Sequence, residues 1–221
     1  MPQSSPLNVA VVTGGHSYQV LEFHRLFHGL PGIAPTIQHM DDFASTPTAV
    51  RQAYDVVLFY TMLLDGPVDS NLPWYCGKPL TAVTELGQTP QGIVVLHHAI
   101  LAYPQFGPWD QMVGMADRHR FTYHQGQTLH LHVADLAHPI TRGLTDWEMV
   151  DETYTTPDLA PDSTLLLTTD HPDSMRHIAW TRQYRNARVF NFQSGHDNVT
   201  WANPGFQEVL RRGILWAAGR A

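Results

Sequence analysis

Short apolar runs recur along the chain, and each stops on small or polar residues. Residues 8–13, 54–60, 92–96 and 165–169 are the clearest. Runs of this length without alternation suit strands buried on both faces, as in a parallel sheet covered by helices. A weaker strand is expected at 36–40, after a break at 31–35, with Asp41 and Asp42 at its end. Helical spacing appears over 18–28 (Val20, Leu21, Phe23, Leu26, Phe27) and over 204–216 (Phe206, Val209, Leu210, Ile214, Leu215). Ser17 is the expected N-cap of the first helix, and Pro204 suits the first turn of the second. Shorter helices are expected at 81–88 and 109–115, with a loop over 61–77. Strict alternation at 129–133 puts His130 and His132 on one face of a half-exposed strand. A turn-rich link at 138–144 leads into 147–154, and strands at 177–184 and 188–193 flank a turn at 185–187. Strand, Gly turn and helix over 8–28 open a βαβ unit, so the class is α/β with a mostly parallel central sheet. No repeat or linker interrupts 1–221, which reads as one domain.

Composition narrows the function. A hydrophobic fraction of 43% with 15% charged residues fits a globular core. A net charge of -7 and the lack of a basic stripe disfavour nucleic acid as a partner. No apolar run approaches the roughly 18–20 residues of a membrane span, and residues 1–8 do not resemble a signal peptide. Cys76 is the single cysteine, which excludes an intrachain disulfide and fits a reducing compartment, so a cytoplasmic location is expected. The unusual count is 14 histidines against 13 Lys plus Arg. Imidazoles bind metals and carry protons near neutral pH.

Several of these histidines fall at strand ends. His97 and His98 close the run 92–96, His16 follows Gly14-Gly15 after the first strand, and His196-Asp197-Asn198 follows the strand at 188–193. In open α/β sheets the ligand crevice lies beyond the carboxyl ends of the strands. Gly14-Gly15 permits a tight turn but lacks the third Gly of a dinucleotide fingerprint, and no Walker lysine follows. A single strand-end His is more often structural than functional. Asp151-Glu152 alone reads as a solvated turn, His130 and His132 as a solvated face, and His24, His28, His39, His119 and His171 as surface or packing residues.

The run 92–96 with His97-His98, His138-Pro139-Ile140 with Asp151-Glu152-Thr153-Tyr154, and Phe192-Gln193-Ser194-Gly195-His196-Asp197 occur in an order that resembles the ThuA-like (trehalose utilisation) family. The resemblance spans Asn8 to about Trp216. It implies a flavodoxin-like three-layer sandwich similar to the class I glutamine amidotransferases. It also implies a setting in sugar utilisation, beside dehydrogenases that make 3-keto disaccharides. The amidotransferases place a nucleophilic Cys at the sharp turn after the central strand and a His after a late strand. Here His97 occupies the elbow and His196 the late-strand position. Imidazole does not replace a thiolate that forms a glutamyl thioester, and Cys76 lies in a Pro-flanked loop, so glutamine hydrolysis is not expected.

Three chemistries follow for the strand-end cluster. In one, His16, His97 and His196, with Glu152, hold a divalent metal such as Zn. In another, His97 or His196 is a general base and Glu152 a general acid on a keto-sugar. In a third the cleft only binds sugar, with Trp109, Trp147, Tyr154 and Trp201 stacking on pyranose faces. The expected protein is a carbohydrate-utilisation enzyme acting on a disaccharide or its 3-keto derivative. Its catalytic residues would be His97, His196 and Glu152, with His16, His98, Tyr154, Asp197 and Asn198 holding substrate. A non-catalytic sugar-binding or regulatory protein is the alternative. A sheet edge or the aromatic loop at 104–109 could support a homodimer.

Overall fold

A computed structural model describes residues 5–70 and 78–221; Cys76 and most of the Pro-flanked loop around it lie outside them. In chain order the elements are β1 (Leu7–Gly14), α1 (Val20–Gly29), β2 (Ile33–His39), α2 (Met40–Ser45), α3 (Thr48–Arg51), β3 (Val56–Thr61), α4 (Pro79–Thr84) and β4 (Gly92–Leu96). They continue with α5 (Gly107–Val113), β5 (Thr122–Val133), β6 (Trp147–Thr155), β7 (Thr164–Thr168), β8 (His177–Tyr184), β9 (Ala187–Phe192), α6 (Asn198–Trp201) and α7 (Pro204–Ala217).

The strands form one sheet in the order β2-β1-β3-β4-β9-β8-β7-β5-β6. From β2 to β9 every pairing is parallel; from β9 to β6 every pairing is antiparallel. The expected mostly parallel sheet is therefore parallel in its first half and mixed overall. The short turn after Tyr184, with Arg185 at φ 52°, returns β9 directly beside β8. A connection this short permits only an antiparallel partner.

Strand β4 sits between two cores. Val94 and Leu96 face a layer with Phe23 and Phe27 of α1 and Leu210 and Ile214 of α7. Ile93 and Val95 face a second layer with Phe43, Phe59, Trp109 and Trp180. Alternate residues go to opposite layers and all are apolar, which is why the run shows no polar phase.

Several elements depart from the sequence reading. The first helix begins at Val20 rather than Tyr18; its N-cap is Gln19, with no side-chain cap bond, and Ser17 does not fill that role. Strand β2 runs through Pro35 because it is the edge strand and pairs only with β1, where a missing N–H is tolerated. The strand expected at 129–133 begins at Thr122, with a register shift between His124 and Gln127 around Gly126 (φ 66°). That irregularity, and the polar outward residues before Leu129, hid its first half. The helices α2, α3 and α6 were not foreseen; each is six residues or fewer and too short to show a period. No described helix is long and apolar enough to cross a membrane.

Candidate functional site

The site is built at the carboxyl ends of β1, β4 and β9, with β6 brought across from the antiparallel half. β4 ends at Leu96, and the next residue, His97, has φ 54°, opening a 3-10 turn His97–Leu101. A left-handed non-glycine residue costs about 1–3 kcal/mol and needs support from its surroundings. Here the support is a set of hydrogen bonds around a fully buried imidazole.

His97 Nδ1 lies 2.8 Å from the carbonyl oxygen of Gln193, so Nδ1 carries the proton and donates it. His97 Nε2 faces the Tyr154 hydroxyl at 2.9 Å, His196 Nδ1 at 3.3 Å and Glu152 Oε1 at 3.6 Å. The Tyr154 hydroxyl donates to Glu152 Oε1 at 2.6 Å, and Glu152 Oε2 is 3.5 Å from His196 Nδ1. Glu152 and Tyr154 are two apart on β6 and so project from one face of the strand. Burial alone would raise the Glu152 carboxyl; the adjacent His97 ring, the hydrogen bond from Tyr154 and the charge of the two imidazoles overcome it and hold it near 2. Burial, followed by the charge of His97, lowers His196. Burial and the neighbouring Glu152 push the Tyr154 hydroxyl well above its usual range.

The loop that presents His196 is fixed from beneath. Asp151 is buried, and its carboxylate accepts the backbone N–H of Gly195 (2.9 Å) and of His196 (3.0 Å), and the Thr200 hydroxyl (2.9 Å). Its net shift is upward, because burial outweighs His97 and these donors. Tyr60 and Trp201 donate to the Gly195 carbonyl at 3.1 and 2.8 Å. Gln193 donates to the Glu152 carbonyl at 2.8 Å, tying β9 to β6. Asp151, Gln193 and Tyr60 had no place in the expected site. A signal for Asp151 exists: Met149, Asp151 and Thr153 share the inward phase of β6, where a carboxylate must have a structural or chemical task.

The structure brings His97, Glu152, His196 and Tyr154 together. His16 stands apart: its ring is 4.8 Å from that of His98 and 6.3 Å from that of His196, and its Nδ1 is bonded to the Ser17 carbonyl. Of the four residues expected to hold a metal, His97, Glu152 and His196 gather their donor atoms and His16 lies outside the group. His98 is buried against Tyr60, with ring centroids 4.2 Å apart, so it has no surface to offer a substrate. Burial, then the charges of His97 and His16, hold its pKa well below the usual value. Asp197 caps α6 through the N–H of Val199 and Thr200 and still lines the cleft; Asn198 is exposed. Trp109 and Trp201 are core residues, with their indole N–H groups on the Ala99 and Gly195 carbonyls, and cannot stack on a sugar or a partner chain. Tyr154 is equally enclosed. His130 and His132 point outward and pair with Glu148 (2.8 Å) and Asp146 (2.9 Å).

Access to the cluster is through His196. A cleft of about 380 Å³ is lined by His16, Ser17, Tyr18, Gln19, Gln125, His196 and Asp197. It shares His16 and Tyr18 with a neighbouring cleft of about 450 Å³ that reaches Gln38, His39 and Asp42. Both open beside Gly15, whose φ is 76° and whose added Cβ would lie 2.4 Å from the Met62 carbonyl oxygen, so only Gly fits this turn.

A parallel half-sheet with a strained residue at the elbow after its central strand, and a His after a late strand, defines an amidotransferase-like α/β fold with imidazole at the elbow. The sequence matches the ThuA family, described as trehalose utilisation, over residues 40–217, and the chain belongs to that family. No curated protein matches it by sequence. Among solved structures, a ThuA-like protein from Parabacteroides merdae superposes with a TM-score of 0.74 at 19% identity, covering 97% of this chain and 90% of that one. A ThuA-like protein from Bacteroides uniformis gives 0.70 at 16% identity, covering 98% and 95%. A GMP synthase subunit from Thermoplasma acidophilum gives 0.56 at 14% identity, covering 98% and 96%. At these identities the likeness is one of fold.

Proposed function

We propose that the protein is a cytoplasmic enzyme of carbohydrate utilisation, acting on a disaccharide or its 3-keto derivative by moving a proton beside the sugar carbonyl. The family supplies the sugar context. The observation that carries the chemistry is the continuous contact His196–His97–Tyr154–Glu152, buried at one end and open to the cleft at the other.

Counting protons shows what this arrangement can do. His97 Nδ1–H is committed to Gln193, and the single Tyr154 proton is committed to Glu152. The 3.3 Å approach of His196 Nδ1 to His97 Nε2 is then met by a neutral His196 with its ring proton on Nδ1, donating to the His97 lone pair. In this tautomer the His196 Nε2 lone pair is free to accept a proton, and the Glu152 carboxylate beside both rings balances the charge that results. His196, one-fifth exposed, is the member that reaches a bound sugar. As a base it would take the proton next to a ketone, where the carbanion is stabilised as an enolate, and His97 with Glu152 would hold the resulting charge. His16, Gln125 and Asp197 line the same opening and would bind hydroxyls.

The test is proton NMR of a 3-keto disaccharide in deuterated buffer with the protein. Wild type is expected to exchange the proton beside the carbonyl or convert the sugar. Tyr154→Phe, which keeps the ring but removes the Glu152 and His97 contacts, should slow this about 100-fold while remaining folded, at a stability cost of about 1–3 kcal/mol. Saturable sugar binding with neither exchange nor conversion would overturn the enzyme reading in favour of a binding protein.

A further inference from the structure

We infer that His97 Nε2, His196 Nδ1 and one carboxylate oxygen of Glu152 form a three-ligand site for a divalent transition ion of the Zn²⁺ type. As a statement about catalysis this rests on the reading above; as a statement about binding it stands on donor geometry alone.

Taking one donor atom from each residue, all three lie within 4.8 Å of one another. His97 Nε2 and His196 Nδ1 are 3.3 Å apart, and the Glu152 carboxylate offers one oxygen to each ring, Oε1 at 3.6 Å from His97 Nε2 and Oε2 at 3.5 Å from His196 Nδ1. Donors about 2.1 Å from a tetrahedral ion are separated from each other by about 3.4 Å. The two imidazole nitrogens thus have the spacing of two corners of a coordination tetrahedron before any ion is placed between them, and the Glu152 carboxylate stands beside both as the third donor. Two imidazoles and one carboxylate, with the fourth corner left for water or substrate, make a donor set of the catalytic type.

The chemistry of the converging atoms points the same way. With Nδ1–H given to the Gln193 carbonyl, a neutral His97 presents a lone pair on Nε2, which is the form that ligates. A carbonyl behind the ligating His and a hydroxyl donating to the ligating carboxylate are the outer contacts that orient metal ligands, here supplied by Gln193 and Tyr154. Three acceptors facing one another repel unless a proton or a cation lies between them. The loop carrying His196 is pinned by Asp151. The third ligand is therefore set in place by a residue that does not itself reach the ion. Among the described residues this is the group of His, Cys, Asp and Glu side chains so gathered; the exposed His130 and His132 each pair with a carboxylate across the ribbon. Such an ion, when bound, supplies a Lewis acid for a sugar carbonyl.

The experiment uses untagged full-length protein, stripped with chelator, reloaded with Zn²⁺ or Co²⁺, desalted and analysed for metal, with affinity by calorimetry. Wild type, His16→Ala and His130→Ala are each expected to retain one equivalent. His196→Ala and Glu152→Ala should bind at least 100-fold more weakly, and the visible absorption of bound Co²⁺ should disappear with them. His196 is partly exposed, so its variant decides the matter even if changes at the buried His97 fail to fold. Desalted wild type without metal, or equal retention by folded His196→Ala and Glu152→Ala, overturns the inference. The two proposals fail separately: turnover by metal-free, chelator-insensitive protein removes the ion and leaves the sugar chemistry. One equivalent bound at this site without turnover does the reverse.

Discussion

Asp151→Asn tests whether the His196 loop is held as described. The carboxylate accepts four donors: Gly195 N–H on Oδ2, and His196 N–H, the Thr200 hydroxyl and the Glu152 N–H on Oδ1. An amide in the same place can keep Oδ1 as the acceptor for three of them, but its NH₂ then faces the Gly195 N–H. One charge-assisted bond is lost, worth roughly 1.5–3 kcal/mol, and a buried donor is left without an acceptor. Removing the buried charge returns part of this, since burial already works against ionisation of Asp151. The net cost should be about 1.5–3 kcal/mol, or a fall in Tm of about 3–12 °C for a chain of this size. Asp151→Ala leaves the Gly195, His196 and Glu152 N–H groups without this acceptor, while the Thr200 hydroxyl keeps the Val150 carbonyl, and should cost about 3–5 kcal/mol. Denaturant unfolding with a constant m value gives both numbers, and the His196 ring resonances report whether the loop has moved. An Asn variant with wild-type stability and an unshifted His196 would refute the clamp.

Other regions give independent checks. Gly213 of α7 lies on Phe190 of β9, where an added Cβ would be 2.1 Å from the ring, so Gly213→Ala should destabilise by about 1–3 kcal/mol through overpacking. Unchanged thermal unfolding would mean that α7 does not seat on β9 so closely. His138 is held below the usual histidine pKa by burial, only partly offset by Asp135, and its Nδ1 accepts the Ile140 N–H. With a folded pKa below the unfolded one, it contributes stability that is present above about pH 6.5 and is lost as the pH falls through the folded value. His138→Asn keeps an acceptor near that position without titrating, so the loss of Tm between pH 7.5 and 5.5 should be smaller than in wild type; an equal loss would remove His138 from the cause.

What the sequence determined by itself was the set of buried runs and the ends at which they stop. Residues 9–12, 56–60 and 92–96 are apolar in both phases, and burial on both faces is what satisfies them. That fixed β1, β3 and β4 as interior strands and put His16 and His97 at their carboxyl ends. The resemblance carried the order of motifs, and with it the elbow and the late-strand His. The edge strand β2, the irregular β5 and the short helices were not legible, because Pro35, Gly126 and segments of four to six residues leave no period to read.

Only the tertiary structure decided which of the many polar side chains meet. Glu152 and Tyr154 are separated from His97 by 55 and 57 positions, and nothing local specifies that β6 should cross to it. That depends on β8 and β9 turning back antiparallel and on Gln193 and Asp151 bonding β9 and its loop to β6. The same step buried Trp109, Trp201 and His98, which by type alone could have faced a sugar, and moved His16 to the rim. Burial of a run is a property of its own residues. Convergence of single side chains depends on every strand between them, so it appears only when the whole sheet is assembled.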